Sequence, residues 1–457
     1  MKIIYRSIAS TLLLVVFGTA SAYELGTHGR LTYQAYKDSV LSDPQLLSEL
    51  GIENGTNPFG EVYYDVSGNT VLERTRQPFE QQAARMPEGV EPRSVEGWLM
   101  RGAIREDDLG QIAGINVGDD PHDDPYGNIF RVFNHFYDPV LNRPLTTIAG
   151  VLGQNAPDWG TGSANAFAMP NTPDTNRRNH FTVFDARESM YRALTGRDSQ
   201  GNELKPAGTL TKPKDIRNAY WATTFRALGD IVHLVEDMAQ PQHTRNDAHS
   251  GVPGFGHESV YEAYIEARAT GASFFNIDGT YAPIQSLNYN SGYPATTFNT
   301  YSDFWSTRTG ITGGGLADYS NRGFFSAGTN LGSNDYLSPS NDPNDYTKES
   351  TAGLLPKRLL EKINFLRGGV DGTTNIRMTT EGLFDFFLFS TKPSYSLNRF
   401  NYDDMAGLLI PRAVGYSAGL INYFFRGKLD FVPDTADPSK YVIKNLGKEE
   451  MSGTFTL

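Results

Sequence analysis

The strongest constraint on the fold is a long helix predicted over residues 214–239. It carries the segment His233-Leu-Val-Glu-Asp237-Met-Ala-Gln, which runs into Pro241-Gln-His243. Pro241 stops or kinks a helix, because proline lacks a backbone N–H and clashes with the preceding turn. His233 and Asp237 are four residues apart, so their side chains lie on one face, one turn apart. That spacing lets both bind one metal ion. Taken alone, such a pair is more commonly a solvated His and Asp.

Helical periodicity recurs along most of the chain and predicts an all-α fold. We expect one multi-helix domain over residues 23–428, with long irregular insertions at about 140–178 and 272–350. Short strands are expected only in the tail 429–457, at 441–444 and 453–457, as the possible start of a β-domain. The other predicted helices cover residues 23–50, 96–107, 128–136, 179–194, 257–269, 356–366, 380–389 and 405–425.

The N-terminus has the pattern of a secretory signal peptide. Lys2 and Arg6 precede a short apolar run over residues 8–20, and Ala20-Ser-Ala22 matches a cleavage site. We therefore expect residues 1–22 to be removed and the protein to be secreted or periplasmic. The alternative, a retained hydrophobic helix, is disfavoured because the run is too short to span a bilayer comfortably.

Charge and cysteine content restrict the chemistry. The formal net charge of -12 disfavours a stable complex with nucleic acid, although bound metal ions would invert the field locally. The chain has no cysteine, so a metal site would have to use His, Asp, Glu or backbone groups.

Histidines and carboxylates that can bind metal are concentrated in a few segments. Four of the eight histidines fall between positions 233 and 257, and nitrogen and oxygen ligands of this kind suit zinc better than manganese or iron. The candidate ligands in this region and upstream are His28, Asp107, His135, His233, Asp237, His243, His257 and Glu262. His180 and His249 have no partner pattern and are predicted to be ordinary loop or surface residues. His122, in an acidic loop, fits a solvated turn better than a calcium site.

These segments resemble the zinc-dependent phospholipases C, which share a fold with fungal single-strand nucleases. The family pattern of His, three residues, Asp, then Pro, His and Asn is present from His233 to Asn246. A His-Phe-Tyr-Asp-Pro element begins at His135, and an upstream Asp is best matched by Asp107. The family's processed N-terminus, which binds zinc through backbone atoms, is matched by Tyr23 followed by His28.

Two departures from the family pattern stand out. Tyr23 replaces the usual Trp, which backbone ligation tolerates. The final pair is normally four residues apart, but His257 and Glu262 are five apart, which turns the second side chain away on a regular helix. Glu258 is therefore an alternative ligand, and we prefer Glu262.

The resemblance implies three zinc ions with Asp237 bridging two of them. The first set would be the Tyr23 backbone, His28 and Asp237. The second would be Asp107, His135, His233 and Asp237. The third would be His243, His257 and Glu262. Asp107 would also act as the catalytic residue that orients or deprotonates the attacking water.

The expected activity is phospholipase C hydrolysis of the glycerol–phosphate bond by a monomer that contacts phospholipid membranes transiently. Glu262 and the absence of cysteine favour this over the alternative, a single-strand nuclease or 3'-nucleotidase with the same metals. A second alternative is a non-catalytic, zinc-stabilised module that binds a surface. Such modules usually close each zinc with four protein ligands.

Overall fold

A computed structural model describes part of the chain. The described residues are 25–52, 59, 62–64, 70–72, 86–107, 111–112, 115–116, 131–147, 150–151, 153–162, 179–206, 210–247, 249, 259–270, 289, 292–307, 313–324, 347–352, 362–370, 373–382, 395–427 and 429–446. The predictions for residues 1–22, Tyr23, His122, His257, Glu258 and 453–457 lie outside them.

Helices dominate the described part of the chain. They are α1 (Leu25–Lys37), α2 (Pro44–Glu49), α3 (Val95–Arg105), α4 (Ala156–Thr161), α5 (Val183–Thr195), α6 (Pro213–Glu236), α7 (Pro241–Thr244), α8 (Val260–Thr270), α9 (Leu316–Gly323) and α10 (Arg399–Phe424). Short 3-10 turns lie at Val40–Ser42, Arg131–Asn134, Asp237–Ala239 and Ser302–Phe304.

Helix α6 lies at the centre of the core. Every residue from Ala219 to Glu236 is buried, so the helix is enclosed on all sides rather than along one stripe. Helices α3 and α5 pack along α6, and α1 and α10 also contact it. As predicted, the helix ends before Pro241, which instead opens the short helix α7. The chain therefore changes direction between Asp237 and His243.

Two glycines bring α3 and α6 unusually close together. A Cβ atom on Gly229 would overlap the backbone oxygen of Leu99, and one on Gly102 would overlap the backbone oxygen of Arg226. Because the obstructing atoms belong to the backbone, a side-chain rotation cannot make room. The contact fixes the end of α3 beside the last two turns of α6.

The all-α prediction is wrong, because residues 347–396 contribute a four-stranded antiparallel sheet. Its strands are β7 (Thr347–Ala352), β8 (Lys362–Val370), β9 (Thr373–Glu381) and β10 (Tyr395–Ser396), in the order β10-β9-β8-β7. The helices predicted at 356–366 and 380–389 are thus replaced by strand at residues 362–366 and 380–381. Residue 382 is in neither a helix nor a strand, and the rest of those two segments lies outside the described residues.

Burial along β8 explains the error. Ile363 and Phe365 are buried, whereas Lys362 and Asn364 are exposed, which is the two-residue period of a strand. A short apolar run of this kind does not distinguish helix from strand until its partners are known. The inner face of the sheet packs against α9 and α10, and Ile376 and Met378 join the main core. The described architecture is therefore mixed, with helices and a sheet around one core.

Smaller hairpins complete the described strands. The strand predicted at 441–444 is present as β12 (Tyr441–Asn445), paired antiparallel with β11 (Leu429–Pro433). The remaining pairs are β1 (Val62–Tyr64) with β2 (Thr70–Leu72), β3 (Gln111–Ile112) with β4 (Ile115–Asn116), and β5 (Thr146–Thr147) with β6 (Gly150–Val151). Among the helices of the described residues, none is both long enough and apolar enough to cross a bilayer.

Candidate metal centre

Seven of the predicted ligands converge beside the C-terminal end of α6. Segments from five parts of the fold supply them: α1, the residue pair after α3, the turn after Arg131–Asn134, the end of α6 with α7, and α8. All seven are nearly inaccessible to solvent, with at most 6 % of their surface exposed. They are His28, Asp107, His135, His233, Asp237, His243 and Glu262.

The ligand atoms of the central group lie 3.1–3.6 Å apart in five pairs. His135 Nδ1 lies 3.3 Å from Asp107 Oδ1, 3.1 Å from Asp237 Oδ2 and 3.3 Å from His233 Nε2. His233 Nε2 lies 3.6 Å from Asp107 Oδ1 and 3.2 Å from Asp237 Oδ2. Ligands about 2.0–2.1 Å from a tetrahedral zinc ion are themselves about 3.3 Å apart. These four residues form the second set expected from the resemblance.

Asp237 connects this group to His28. Its Oδ1 atom lies 3.4 Å from His28 Nε2, while its Oδ2 atom faces His135 and His233. The rings of His28 and His233 stack with their centroids 3.8 Å apart. One carboxylate therefore faces two groups of ligands with different oxygens, which is the arrangement of a bridging ligand.

A third group corrects the prediction made for His249. This residue is buried, with 7 % of its surface exposed, and its Nε2 atom lies 2.9 Å from Glu262 Oε1 and 3.2 Å from His243 Nε2. His243 Nε2 lies 3.6 Å from Glu262 Oε1. His249 is thus part of the site rather than an ordinary surface residue. Its only sequence signal was membership of the histidine-rich stretch, since it follows no helical spacing.

Four of the five imidazoles that the structure describes at the site share a feature of metal ligands: Nδ1 donates outward and Nε2 faces the cluster. Three donate to backbone oxygens: His233 to Ala103 at 2.6 Å, His243 to His135 at 3.0 Å, and His249 to Asp247 at 2.8 Å. The fourth, His28, donates to the Glu236 carboxylate at 2.6 Å. A carbonyl or carboxylate can only accept, so each of these rings has Nδ1 protonated. Metal-binding histidines are almost always held in this way.

Three buried carboxylate oxygens of the cluster accept no conventional hydrogen bond within the described residues. They are both side-chain oxygens of Asp107 and Oδ2 of Asp237. Burial alone would raise the pKa of Asp237, but the charges of His233 and His243 hold it well below its usual range. Buried anions need a cationic partner, and this cluster offers either protonated imidazoles or a metal ion in that role.

The histidine pKa values reflect the same electrostatics. Burial lowers the pKa of His28, but its contacts with Asp237 and Glu236 outweigh burial and raise it to about 10. Burial is likewise outweighed at His249, where Glu262 raises the pKa to about 9. In the absence of metal, protons therefore supply positive charge to the cluster.

Buried ion pairs hold the framework behind the site. Glu106, next to Asp107, accepts from Arg131 Nε at 2.8 Å and from Trp159 Nε1 at 2.7 Å. Burial raises the pKa of Glu106, but the Arg131 charge prevails and lowers it to about 2. Arg131 also pairs with Asp230 of α6 at 2.8 Å. The end of α3, the turn before His135 and α6 are thereby tied together.

Helix α9 supports α7 from the other side. Asn321 Nδ2 donates to the Thr244 backbone oxygen at 2.6 Å, and Arg245 donates to the Asn321 backbone oxygen at 2.6 Å. Asn246 adopts a left-handed conformation with φ of 53° and accepts from the Thr146 N–H at 2.6 Å. These contacts fix the turn that redirects His243 after Pro241.

These groups can hold metal ions. Three sets of buried ligand atoms each lie within 4.8 Å of one another: His28 with Asp107 and His233, His135 with His233 and Asp237, and His243 with His249 and Glu262. All donors are nitrogen or oxygen, as the lack of cysteine requires. No protein-family model, curated protein or solved structure matches the chain.

Proposed function

We propose that this chain is a zinc-dependent phosphodiesterase of the phospholipase C type, which cleaves the glycerol–phosphate bond of phospholipids. The observation that carries the proposal is the pair of Asp237 distances, with one oxygen facing His28 and the other facing His135 and His233. Neighbouring metal ions that share a carboxylate are typical of enzymes that hydrolyse phosphate esters. The motif resemblance, from His28 to Glu262, points to the same class.

The proposed zinc ligands follow the three groups. Asp107, His135, His233 and Asp237 would hold the central ion. His28 and Asp237 would hold the second, with the Tyr23 backbone proposed as the remaining ligand. His243, His249 and Glu262 would hold the third, and His257 remains a predicted ligand there.

The chemistry required is activation of water and stabilisation of charge on phosphate. When bound, the zinc ions would supply Lewis acidity, which favours hydroxide near neutral pH and stabilises phosphate oxygens. Asp107 Oδ1 faces His135 and His233. Within the described residues, Oδ2 accepts no hydrogen bond, which makes Asp107 the proposed base that orients or deprotonates the attacking water.

The shared carboxylate of Asp237 favours an enzyme over a zinc-stabilised module. Neighbouring metal ions of this kind are typical of phosphate-ester hydrolysis, whereas a structural zinc is usually closed by four protein ligands. By the resemblance, Glu262 as the final acidic ligand favours a phospholipase C, since the nuclease relatives tend to have Asp at this position. Secretion, a monomeric state and transient contact with a phospholipid surface are part of the proposal.

Parallel assays test this proposal. Zinc-loaded protein is incubated with phosphatidylcholine vesicles and with single-stranded DNA, with and without a chelator. We expect chelator-sensitive release of phosphocholine and slow or no cleavage of DNA. Asp107→Asn should lower the phospholipase rate at least about 100-fold, as loss of a general base does, whereas Asp38→Asn, at an exposed position of the described chain, should leave it unchanged.

Other results distinguish the alternatives. Faster cleavage of DNA than of lipid would identify a nuclease. Vesicle binding without cleavage of either substrate would identify a non-catalytic module. Cleavage that persists in excess chelator would refute the metal mechanism.

A further inference from the structure

Glu236 is a buried carboxylate that the motif does not account for. It is the last residue of α6, next to Asp237, and none of its surface is exposed. His28 Nδ1 donates to its Oε2 atom at 2.6 Å, and Thr32 Oγ1 donates to its Oε1 atom at 2.9 Å. His28 and Thr32 lie one turn apart on α1. Both oxygens of Glu236 are therefore held by a single face of one helix.

Consecutive carboxylates bracket the His28 ring. Glu236 accepts from Nδ1, and Asp237 Oδ1 lies 3.4 Å from Nε2. When the ring is neutral, as metal binding requires, Nδ1 keeps the proton that it donates to Glu236, and the Nε2 lone pair is directed towards the side of Asp237. A carboxylate behind a histidine fixes the ring tautomer and orientation and raises the basicity of the other nitrogen.

We propose that Glu236 is the positioning residue of the metal site at His28, and that it sets the affinity of that ion separately from the other two. The proposal rests on the metal centre described under Proposed function. His233, His243 and His249 are held by backbone oxygens, which are uncharged and stay in place when side chains change. Among these four rings, His28 depends on a charged side chain for the same support.

The separation of the effects follows from the contacts. In the described structure, the hydrogen bonds of Glu236 go to His28 and Thr32 in α1 and to no ligand of the central or third group. With His233 of the central group it has an electrostatic interaction but no hydrogen bond. Loss of an outer partner of this kind costs about 10–100-fold in metal affinity. We expect that loss at one ion, with the other two still bound tightly.

Zinc binding to the full chain, measured without substrate, tests the proposal. Apo-protein is titrated with zinc against a chromophoric chelator, and bound zinc is counted by atomic emission. Glu236→Gln keeps the shape and an acceptor oxygen but removes the charge, and should weaken one ion about 10-fold. Glu236→Ala removes the acceptor and should weaken that ion about 100-fold. Thr32→Val keeps the carboxylate and should have a smaller effect than Glu236→Gln.

A matched control separates positioning from general destabilisation. Asp185 is an equally buried carboxylate that caps α5 through Thr182. Asp185→Asn should lower the melting temperature and leave all zinc affinities unchanged. In the loaded protein, the His28 Nδ1–H proton signal should be far downfield and should move upfield in Glu236→Gln, since a charged acceptor is replaced by a neutral one.

Two results would overturn the proposal. One is wild-type affinity for every ion in both Glu236 variants. The other is an equal weakening of all ions in Glu236→Gln, Glu236→Ala and Asp185→Asn, which would indicate a structural role only. Wild-type protein that binds no zinc refutes this proposal and the proposed function together, whereas protein that binds zinc but cleaves no phosphodiester refutes the proposed function alone.

Discussion

At the scale of single residues, the site depends on which nitrogen of each histidine faces inward. His249 illustrates this, because its backbone contact to Asp247 directs Nε2 towards Glu262 and His243. No helical spacing links His249 to either partner, and Glu262 lies on the separate helix α8. The sequence therefore offered the residue type and its neighbourhood but not its contacts.

Substitution of His249 should remove one metal ion. Among the described residues, His249→Ala leaves only His243 and Glu262 in the third group. The zinc affinity of that group should therefore fall by more than about 100-fold, since loss of an outer partner already costs about 10–100-fold. Metal counting after dialysis measures this. His180→Ala is the control, because His180 belongs to none of the three groups and its loss should leave the zinc content unchanged. Unchanged zinc content in His249→Ala would show that this residue is not a ligand.

At the scale of elements, the close contact of α3 and α6 sets the site geometry. Gly102 precedes Ala103, whose backbone oxygen accepts from His233, and Gly229 lies one turn before His233. Moving the helices apart would therefore break that hydrogen bond and shift Asp107 relative to His233. The two glycines act by letting the backbones of α3 and α6 approach closely, and no side-chain pattern in the sequence predicts such a contact.

Gly229→Ala should thus damage both stability and metal binding. Overpacking against a fixed backbone costs about 1–3 kcal/mol, so the free energy of unfolding should fall by about that amount, and zinc affinity of the central group should fall with it. Denaturant unfolding and zinc titration measure the two effects. Gly407→Ala, in α10, meets no atom within 4 Å and should be neutral or slightly stabilising. Equal behaviour of the two variants would contradict the close-contact explanation.

At the scale of the whole molecule, protons and metal ions compete for one buried cluster. The pKa of His28 is raised to about 10 and that of His249 to about 9 in the metal-free state, whereas metal ligation requires neutral rings. Zinc binding near neutral pH should therefore release protons. Calorimetry in buffers with different ionisation enthalpies counts them, and a binding enthalpy independent of buffer would contradict the prediction.

The stability of the metal-free protein should fall as the pH rises. A histidine pKa raised above its unfolded value of about 6.5 contributes stability fully below that pH. The contribution is lost as pH rises through about 9 for His249 and about 10 for His28. The metal-free melting temperature should fall over this range, while the zinc-loaded protein should change less. A flat metal-free profile would mean that these rings are neutral without metal.

Local sequence by itself determined the parts of this protein that follow from one helical turn. The spacing of His233 and Asp237 put both on one face of α6, and Pro241 ended that helix because it lacks an N–H. The order of the motifs along the chain also identified, as candidate ligands, seven of the residues that meet in the described site. These features need only local geometry, so the sequence is sufficient for them.

Only the tertiary structure decided the rest. Glu236 meets His28 across 208 positions of sequence, and His249 meets Glu262 of the separate helix α8. Strands β8 and β9 formed where helices were predicted, because antiparallel pairing and a face packed on the core outweighed weak local preference. Such contacts depend on which surfaces are buried together, and that is settled by packing the whole chain rather than by any segment of it.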